Sequence, residues 1–356
     1  MARRPSLPAP TGPYQVGTTT ASISPRTPDT GTAIAVRAWY PARPGAIGLP
    51  ATGTQSIQWR RFGFRRDYAT AALVDAPITG DGSRLPLVLY VPSWNGDKAE
   101  ATALAQDIAS YGFVVVAMDP PSTPPDRREM DFSSADAGAA TLRLAGLLVD
   151  AQARDAIHLL DRIVHAGDGE PLADVARRID PTRIGVIGFS FGGAVAAQAC
   201  WIDRRFRAAL DMDGWLFGEA ASNGVSQPFM VMSDDTPLPG EADLRAPDAG
   251  RRLVAELNVA DDRRMVANMA RHGGTRVTIE GARHANFTDA PLTWPIARMV
   301  GAGLVTPIEA FRVIATYTVA FLDKSLRGGD PAVLRPDGPP LPGARIERWA
   351  APGPRE

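Results

Sequence analysis

The six residues Gly188-Phe189-Ser190-Phe191-Gly192-Gly193 constrain this chain more than any other stretch, because they join two segments whose patterns belong to different elements. Before them, Arg183-Ile184-Gly185-Val186-Ile187 reads as an apolar strand; after them, Ala194-Val195-Ala196-Ala197-Gln198-Ala199-Cys200 reads as a helix of small residues. A Gly-x-Ser-x-Gly run at a strand-to-helix junction is the pattern of a nucleophile elbow. The glycines clear bulk from both sides of a tight turn, the serine hydroxyl projects from its apex, and the helix presents its N-terminal amides. The bare pattern also occurs where glycine only lets a helix approach a sheet, a reading that requires no histidine nearby. The chemistry to which the elbow points is acyl transfer to water.

An elbow needs a sheet around it, and the chain alternates accordingly. Buried strands are expected at 85–91 and 113–118, with helices at 98–110 and 134–165. Further strands are expected at 184–189, 208–212, 229–232 and 276–279, and helices near 193–202, 248–271 and 308–325. This alternation predicts an α/β protein with a mostly parallel central sheet and helices on both faces. An early strand is read at 32–40, ended by Pro41, and a helical excursion at 55–74, closed by a turn at Gly80-Asp81-Gly82. Residues 280–306 read as a loop with short helical pieces beside the site. The expected division is an irregular arm over 1–31, anchored by Tyr14, one catalytic-type domain over 32–329, and a wrapped or mobile tail over 330–356, which carries seven prolines.

At 356 residues, 45% hydrophobic and 22% charged, the chain can bury one large core. A formal charge of -1 gives no field for nucleic acid or an anionic membrane. The pairs Arg60-Arg61, Arg65-Arg66, Arg204-Arg205 and Arg263-Arg264 are dispersed and read as solvated faces. Cys200 is the single cysteine, which excludes an intrachain disulfide and a thiolate-rich metal site and suits a small core residue. No window has the length of a membrane span. The basic start Met1-Ala2-Arg3-Arg4 runs into prolines rather than an apolar signal segment, so the expected location is cytoplasmic, or secreted if an export signal has been removed. Oligomeric state stays open.

A serine hydroxyl is a poor nucleophile until a base takes its proton, so the elbow requires a histidine. The chain has four. His158 and His165 fall on a long helix before the elbow, and His272 at a helix C-terminus; all three read as surface or packing residues. His284 follows the last strand, at the sheet edge to which the elbow carries Ser190, and is the expected general base and acid. Its orienting acid is Asp213, at the end of the strand after the elbow helix, or Asp234 or Asp235 after the next strand; chain order leaves the choice open. Asp289 reads as a brace for the loop or a solvated group. An oxyanion hole is expected from the amide of Phe191 and an amide of the loop Pro92-Ser93-Trp94-Asn95-Gly96, with Trp94 preferred because Pro92 has no donor. Phe189 and Trp215 are expected to line an acyl pocket.

With these segments in view, the chain resembles the platelet-activating factor acetylhydrolases of the plasma and intracellular type II form, together with their bacterial dienelactone-hydrolase-like relatives. The resemblance opens at Pro10-Thr11-Gly12-Pro13-Tyr14-Gln15-Val16-Gly17 and returns at Pro86-Leu87-Val88-Leu89-Tyr90. It is strongest from Ser190-Phe191-Gly192-Gly193 through Leu210-Asp211-Met212-Asp213-Gly214-Trp215, and extends through His284-Ala285-Asn286-Phe287-Thr288-Asp289 and Ala320-Phe321-Leu322-Asp323-Lys324. It implies an α/β-hydrolase fold that uses no metal or cofactor. It matches Ser190 to the nucleophile, Asp213 to the acid, His284 to the base, and Phe191 and Trp94 to the oxyanion amides. The implied partner is a small-molecule or lipid ester, with short or oxidised acyl groups cleaved from phospholipids and simpler esters cleaved by bacterial relatives. Pro92-Ser93 stands where the family has histidine-glycine, and residues 51–75 show no lipid-surface helix. The expected function is serine-dependent hydrolysis of short-chain carboxylic esters; the alternatives are an amide or polyester hydrolase of the same fold, or a hydrolase-like binding protein.

Overall fold

The run Leu85–Val91 has no polar face, and all seven residues are buried, as a strand covered on both sides requires. The computed structural model describes residues 4–26, 32–59, 62–80, 82–122, 129–294 and 296–351. The chain begins with β1 (Val16–Ile23), β2 (Ile34–Pro41), β3 (Pro50–Trp59) and β4 (Phe62–Val74), then alternates through β5 (Leu85–Val91), α1 (Thr102–Ser110), β6 (Val114–Asp119), α2 (Ala135–Val164), α3 (Ala173–Ala176) and β7 (Ile179–Phe189). It continues with α4 (Phe191–Ile202), β8 (Phe206–Met212), α5 (Gly218–Asn223), β9 (Phe229–Ser233), α6 (Glu241–Leu244), α7 (Ala249–His272), β10 (Gly274–Ile279), α8 (Ala290–Thr293), α9 (Pro307–Arg327) and β11 (Ala344–Trp349). The long helices start where a side chain can take up a free amide: Ser134 accepts from Ala137 N–H, Asp248 from Arg251 N–H and Thr306 from Glu309 N–H.

The strands form one sheet in the order β11-β10-β9-β8-β7-β5-β6-β2-β1-β4-β3. From β6 to β10 every neighbouring pair is parallel, and β2 and β11 close that block on either side by antiparallel pairing. Alternate residues of each central strand enter different cores. Leu87, Leu89, Val116 and Val186 join Leu159 of α2 and Val195 of α4. Val88, Tyr90, Val115 and Ile187 join Ile108 of α1 and Phe321 of α9. The sheet is therefore largely parallel, mixed at its margins, and covered by helices on both faces, as an α/β-hydrolase fold is. From β5 the chain crosses to β6 on one side and returns to β7 on the other, so a crevice opens beyond the carboxyl ends of β5 and β7.

Three expectations differ from the structure. Residues 16–23 of the expected irregular arm form β1, paired along its length with β2. The expected helix at 55–74 is instead part of the β3–β4 hairpin; Tyr68, Thr70 and Ala72 are buried while Asp67 and Ala71 are exposed, a period of two that belongs to a strand. The expected tail carries β11, which adds to β10 over six residue pairs. Backbone pairing with a sheet edge supplied the stability that its proline-rich composition did not announce. Arg60-Arg61, Asp81, the chain ends 1–3 and 352–356, and 27–31 of the arm lie outside the described residues. Cys200 is buried, its thiol is pushed up to about 12 by that burial, and Sγ lies 3.6 Å from the carbonyl of Phe206. Among the described residues, no helix is long and apolar enough to cross a membrane.

Candidate active site

Ser190 has φ 54° and ψ -122°, a conformation that costs a residue with a side chain and persists only where the surroundings impose it. Those surroundings are the carboxyl end of β7 and the first turn of α4. A Cβ on Gly188 would fall 2.0 Å from the carbonyl oxygen of Gly192, and one on Gly192 would fall 2.1 Å from that of Val91. Both glycines are thus required by close backbone approach, which is the elbow expected from the sequence. The turn is held by Ser190 N–H donating to Met212 O (2.8 Å) and Gly193 N–H donating to Ser190 O (2.9 Å).

The next strand ends at Met212, and Asp213 follows with φ 62°. Its backbone N–H donates to Met232 O at 2.7 Å, and its Oδ1 accepts from Asp234 N–H at 2.8 Å. His284 opens a 3₁₀ turn, His284–Phe287, beyond β10; Asn286 Oδ1 braces the turn by accepting from Arg283 N–H and Gly303 N–H. His284 Nδ1 lies 2.6 Å from Asp213 Oδ2, and Nε2 lies 3.1 Å from Ser190 Oγ. A carboxylate only accepts, so Nδ1 carries the proton and Nε2 is left to accept from the serine hydroxyl. The three side chains come from positions 190, 213 and 284 and form one hydrogen-bonded line.

The other candidates are engaged elsewhere. Asp234 accepts from Thr236 N–H and Oγ, and Asp235 accepts from Gly281 N–H and pairs with Arg345. Asp289 is buried and accepts from Ala103 N–H, so of its two expected roles the structure gives it the brace. His158, His165 and His272 meet the carbonyls of Ser24, Asp161 and Asn223.

A cavity of about 670 Å³ opens over Ser190 and His284. Its apolar wall includes Met130, Phe132, Phe191, Trp215, Phe217, Leu238 and Met265, and its polar wall includes Asp234, Asp235, Asn258, Asp261, Arg276 and Arg345. Trp215 stands in the wall as expected, fixed by its indole N–H donating to Asn258 Oδ1 at 2.8 Å. Phe189 does not line the cavity. As the last residue of β7 it alternates with Gly188 and enters the core under α1 and α9, where its ring supports the His284 imidazole at 4.6 Å. The Trp94 and Phe191 rings meet edge to face at 4.8 Å, so the loop after β5 packs directly on the elbow.

Buried carboxyl groups surround this arrangement, and burial pushes each of them up. Asp261, which accepts from Leu216 N–H, is raised to about 6. Asp211, beneath the elbow, is raised well above the carboxylate range by burial and by Asp261. Glu100 is raised to about 7 by burial, although Tyr90 and Ser93 both donate to it. Sequence reasoning missed Glu100 because it falls in the first residues of an expected helix, where an acid reads as solvated; the signal was Tyr90 and Ser93 on the preceding strand and loop.

The family model for platelet-activating factor acetylhydrolase, isoform II, matches residues 167–330. The platelet-activating factor acetylhydrolase of Canis lupus familiaris is 23% identical over 322 residues, 81% of this chain and 68% of that protein. That of Bos taurus is 24% identical over 328 residues, again 81% and 68%. The probable 1-alkyl-2-acetylglycerophosphocholine esterase of Arthroderma benhamiae is 28% identical over 163 residues, 42% of this chain and 38% of that one. Among solved structures, a ferulic acid esterase from Streptomyces cinnamoneus superposes with a TM-score of 0.68 at 24% identity, covering 97% of this chain and 99% of that one. Fold and sequence together give this chain an α/β-hydrolase fold related to the platelet-activating factor acetylhydrolase-like and esterase families.

Proposed function

We propose that the protein is a carboxylic ester hydrolase in which Ser190 is the nucleophile, His284 the general base and acid, and Asp213 the orienting carboxylate. The observation that carries this reading is the line Asp213 Oδ2, His284 Nδ1, His284 Nε2, Ser190 Oγ, with gaps of 2.6 and 3.1 Å, at the wall of a cavity. Ser190 Oγ attacks the acyl carbon as its proton moves to His284 Nε2, while Asp213 stabilises the imidazolium. The amides of Phe191 and Trp94 hold the negative charge on the acyl oxygen. His284 gives its proton to the departing alkoxide, an alcohol leaves, and the acyl group remains on the serine. Water then attacks with its proton passing to His284, and the return of that proton to Ser190 releases the carboxylic acid. The aromatic wall of the cavity offers an apolar place for the acyl group, and a short acyl chain, or the acyl ester of a platelet-activating-factor-like or oxidised phospholipid, is the finer form of the same reading.

The test is hydrolysis of p-nitrophenyl esters from acetate to octanoate by the wild type and by folded Ser190→Ala. Activity that falls with chain length and disappears in the variant is the expected result. Activity retained by Ser190→Ala would overturn the mechanism, and a wild type that neither hydrolyses any ester nor reacts with an organophosphonate at Ser190 would favour a binding protein of the same fold.

A further inference from the structure

The loop after β5 is fastened by one side chain. Glu100 Oε1 accepts from the Tyr90 hydroxyl and from Ser93 N–H, each at 2.8 Å, and Oε2 accepts from Ser93 Oγ at 2.7 Å. All three contacts suit an acceptor-only carboxylate; the Ser93 N–H can only donate, whereas the two hydroxyls could turn to accept if the carboxyl were protonated. The fit is close: a Cβ on Gly96 would fall 2.0 Å from Glu100 Oε2, so the turn at 93–96 is folded tightly round the carboxyl group. The residue gripped at both N–H and Oγ is Ser93, and the next peptide is that of Trp94.

The same group reaches the other side of the site. Its backbone carbonyl accepts from Asp289 N–H at 2.8 Å, and Asp289 in turn accepts from Ala103 N–H in the first turn of α1. Asp289 lies five residues beyond His284, just past its 3₁₀ turn. The charged or titratable groups facing Glu100 are Tyr90 from β5, Asp97 from its own loop and Asp289 from the segment before α8.

We propose that Glu100 is a positioning residue for ester cleavage, fixing the Ser93 peptide so that the Trp94 N–H is aimed at the acyl oxygen and tying that loop to the turn that carries His284. The inference rests on the mechanism proposed above, and it explains how a serine at position 93 is accommodated in the loop. Glu100 touches no reacting atom; it acts through Ser93 and Trp94. Its loss should therefore weaken the transition state more than the binding of substrate.

The experiment compares the wild type, Glu100→Gln and Ser93→Ala on p-nitrophenyl acetate at pH 8, with active sites counted by end-point organophosphonate labelling of Ser190 and folding checked by thermal melts. The substitution Glu100→Gln removes the charge and puts a donating NH₂ in place of one acceptor oxygen, so that one hydroxyl must turn from donor to acceptor and the grip on the loop weakens. It should lower kcat per labelled site by about 10²-fold, the effect of losing one oxyanion donor, with KM changed by less than about threefold. Ser93→Ala keeps the backbone N–H bond and should lose only about three- to tenfold. If folded Glu100→Gln keeps kcat within about threefold, or loses efficiency through KM alone, the positioning role is overturned. Should Glu100→Gln not fold, Tyr90→Phe and Ser93→Ala decide the matter: a kcat loss in either supports the role, and unchanged kcat in both overturns it. A wild type without Ser190-dependent hydrolysis would instead sink the underlying mechanism, so the two failures are distinguishable.

Discussion

Strands β5–β10 and strands β1–β4 share one continuous sheet, yet the hydrogen-bonded line of Ser190, Asp213 and His284 is built entirely at the ends of the first set. The difference lies in connectivity. Successive parallel strands cross over through helices, so their carboxyl ends and the loops that follow gather at one edge; Trp94, Ser190, Asp213 and His284 follow β5, β7, β8 and β10 in this way. Hairpin-linked strands send successive loops to opposite edges, and none of the described residues of the β3–β4 ribbon lines the cavity. Burial differs as well. β5 and β6 are enclosed on both faces, whereas β4 alternates between buried Tyr68, Thr70 and Ala72 and exposed Asp67 and Ala71. Convergence of chemistry and depth of core come from the same wiring.

The largest effect that should follow this division is at Asp213. Asp213→Asn should lower kcat by about 10³- to 10⁴-fold by stabilising the wrong imidazole tautomer, while Asp234→Asn, whose side chain accepts from Thr236 and stands outside the line, should cost less than about tenfold. Equal losses in the two variants, measured on the same ester, would remove the distinction between line and surroundings. Next comes stability. Leu89→Ala, in a fully buried parallel strand, should cost about 2–5 kcal/mol in urea unfolding, against less than about 1 kcal/mol for Thr54→Ala, which removes an exposed bond to Asp67 on the flank. A loss at Thr54 as large as that at Leu89 would mean that the exposed face of the β3–β4 ribbon carries as much stability as the buried strands.

A third effect follows from burying an acid in the parallel half. Glu100 titrates at about 7 when folded and near 4.5 when exposed, so between those values the unfolded chain gives up its proton first. The burial penalty is absent below about pH 4.5 and complete above about 7, and it is on the order of 3 kcal/mol. The stability of Glu100→Gln relative to the wild type should therefore rise by up to that amount from about pH 5 to about pH 8; a constant offset would show that the carboxyl is not held in its buried setting. The smallest effect should be at the rim. Arg345→Ala, breaking an exposed pair with Asp235, should change stability by less than about 1 kcal/mol, seen as a small and salt-sensitive shift in Tm.

Legibility in the sequence divides along the same line. Continuous apolar runs such as Leu85–Val91 and Val114–Asp119 can only be buried strands when helix-forming segments alternate with them, and the elbow fixed one strand-to-helix junction outright. Ser190 and His284 were reachable because each stands just past a strand of that kind. Asp213 was not separable from Asp234 and Asp235 by chain order, because all three follow strands that end at the same edge; only the geometry, or resemblance, distinguishes them. The β3–β4 hairpin was misread because its alternation runs through Tyr, Thr and Ala rather than strongly apolar residues, a weak period of two. Phe189 was misassigned because its neighbour in sequence is the serine, whereas strand alternation sends its side chain through the sheet. Glu100 was invisible because its partners are a strand tyrosine and a loop serine, a pairing that emerges only when the loop folds back.

The closing strand β11 has a consequence for anyone who shortens this protein. Residues 330–343 look dispensable by composition, and a cut near 330 would take β11 with them. It would leave β10 with an unpaired row of amides and carbonyls, next to the cavity wall that Arg345 completes. Such an edge is a template for another copy of itself, so the shortened chain should fail first by sticking to its neighbours in concentrated solution, before any loss is seen in how it handles an ester.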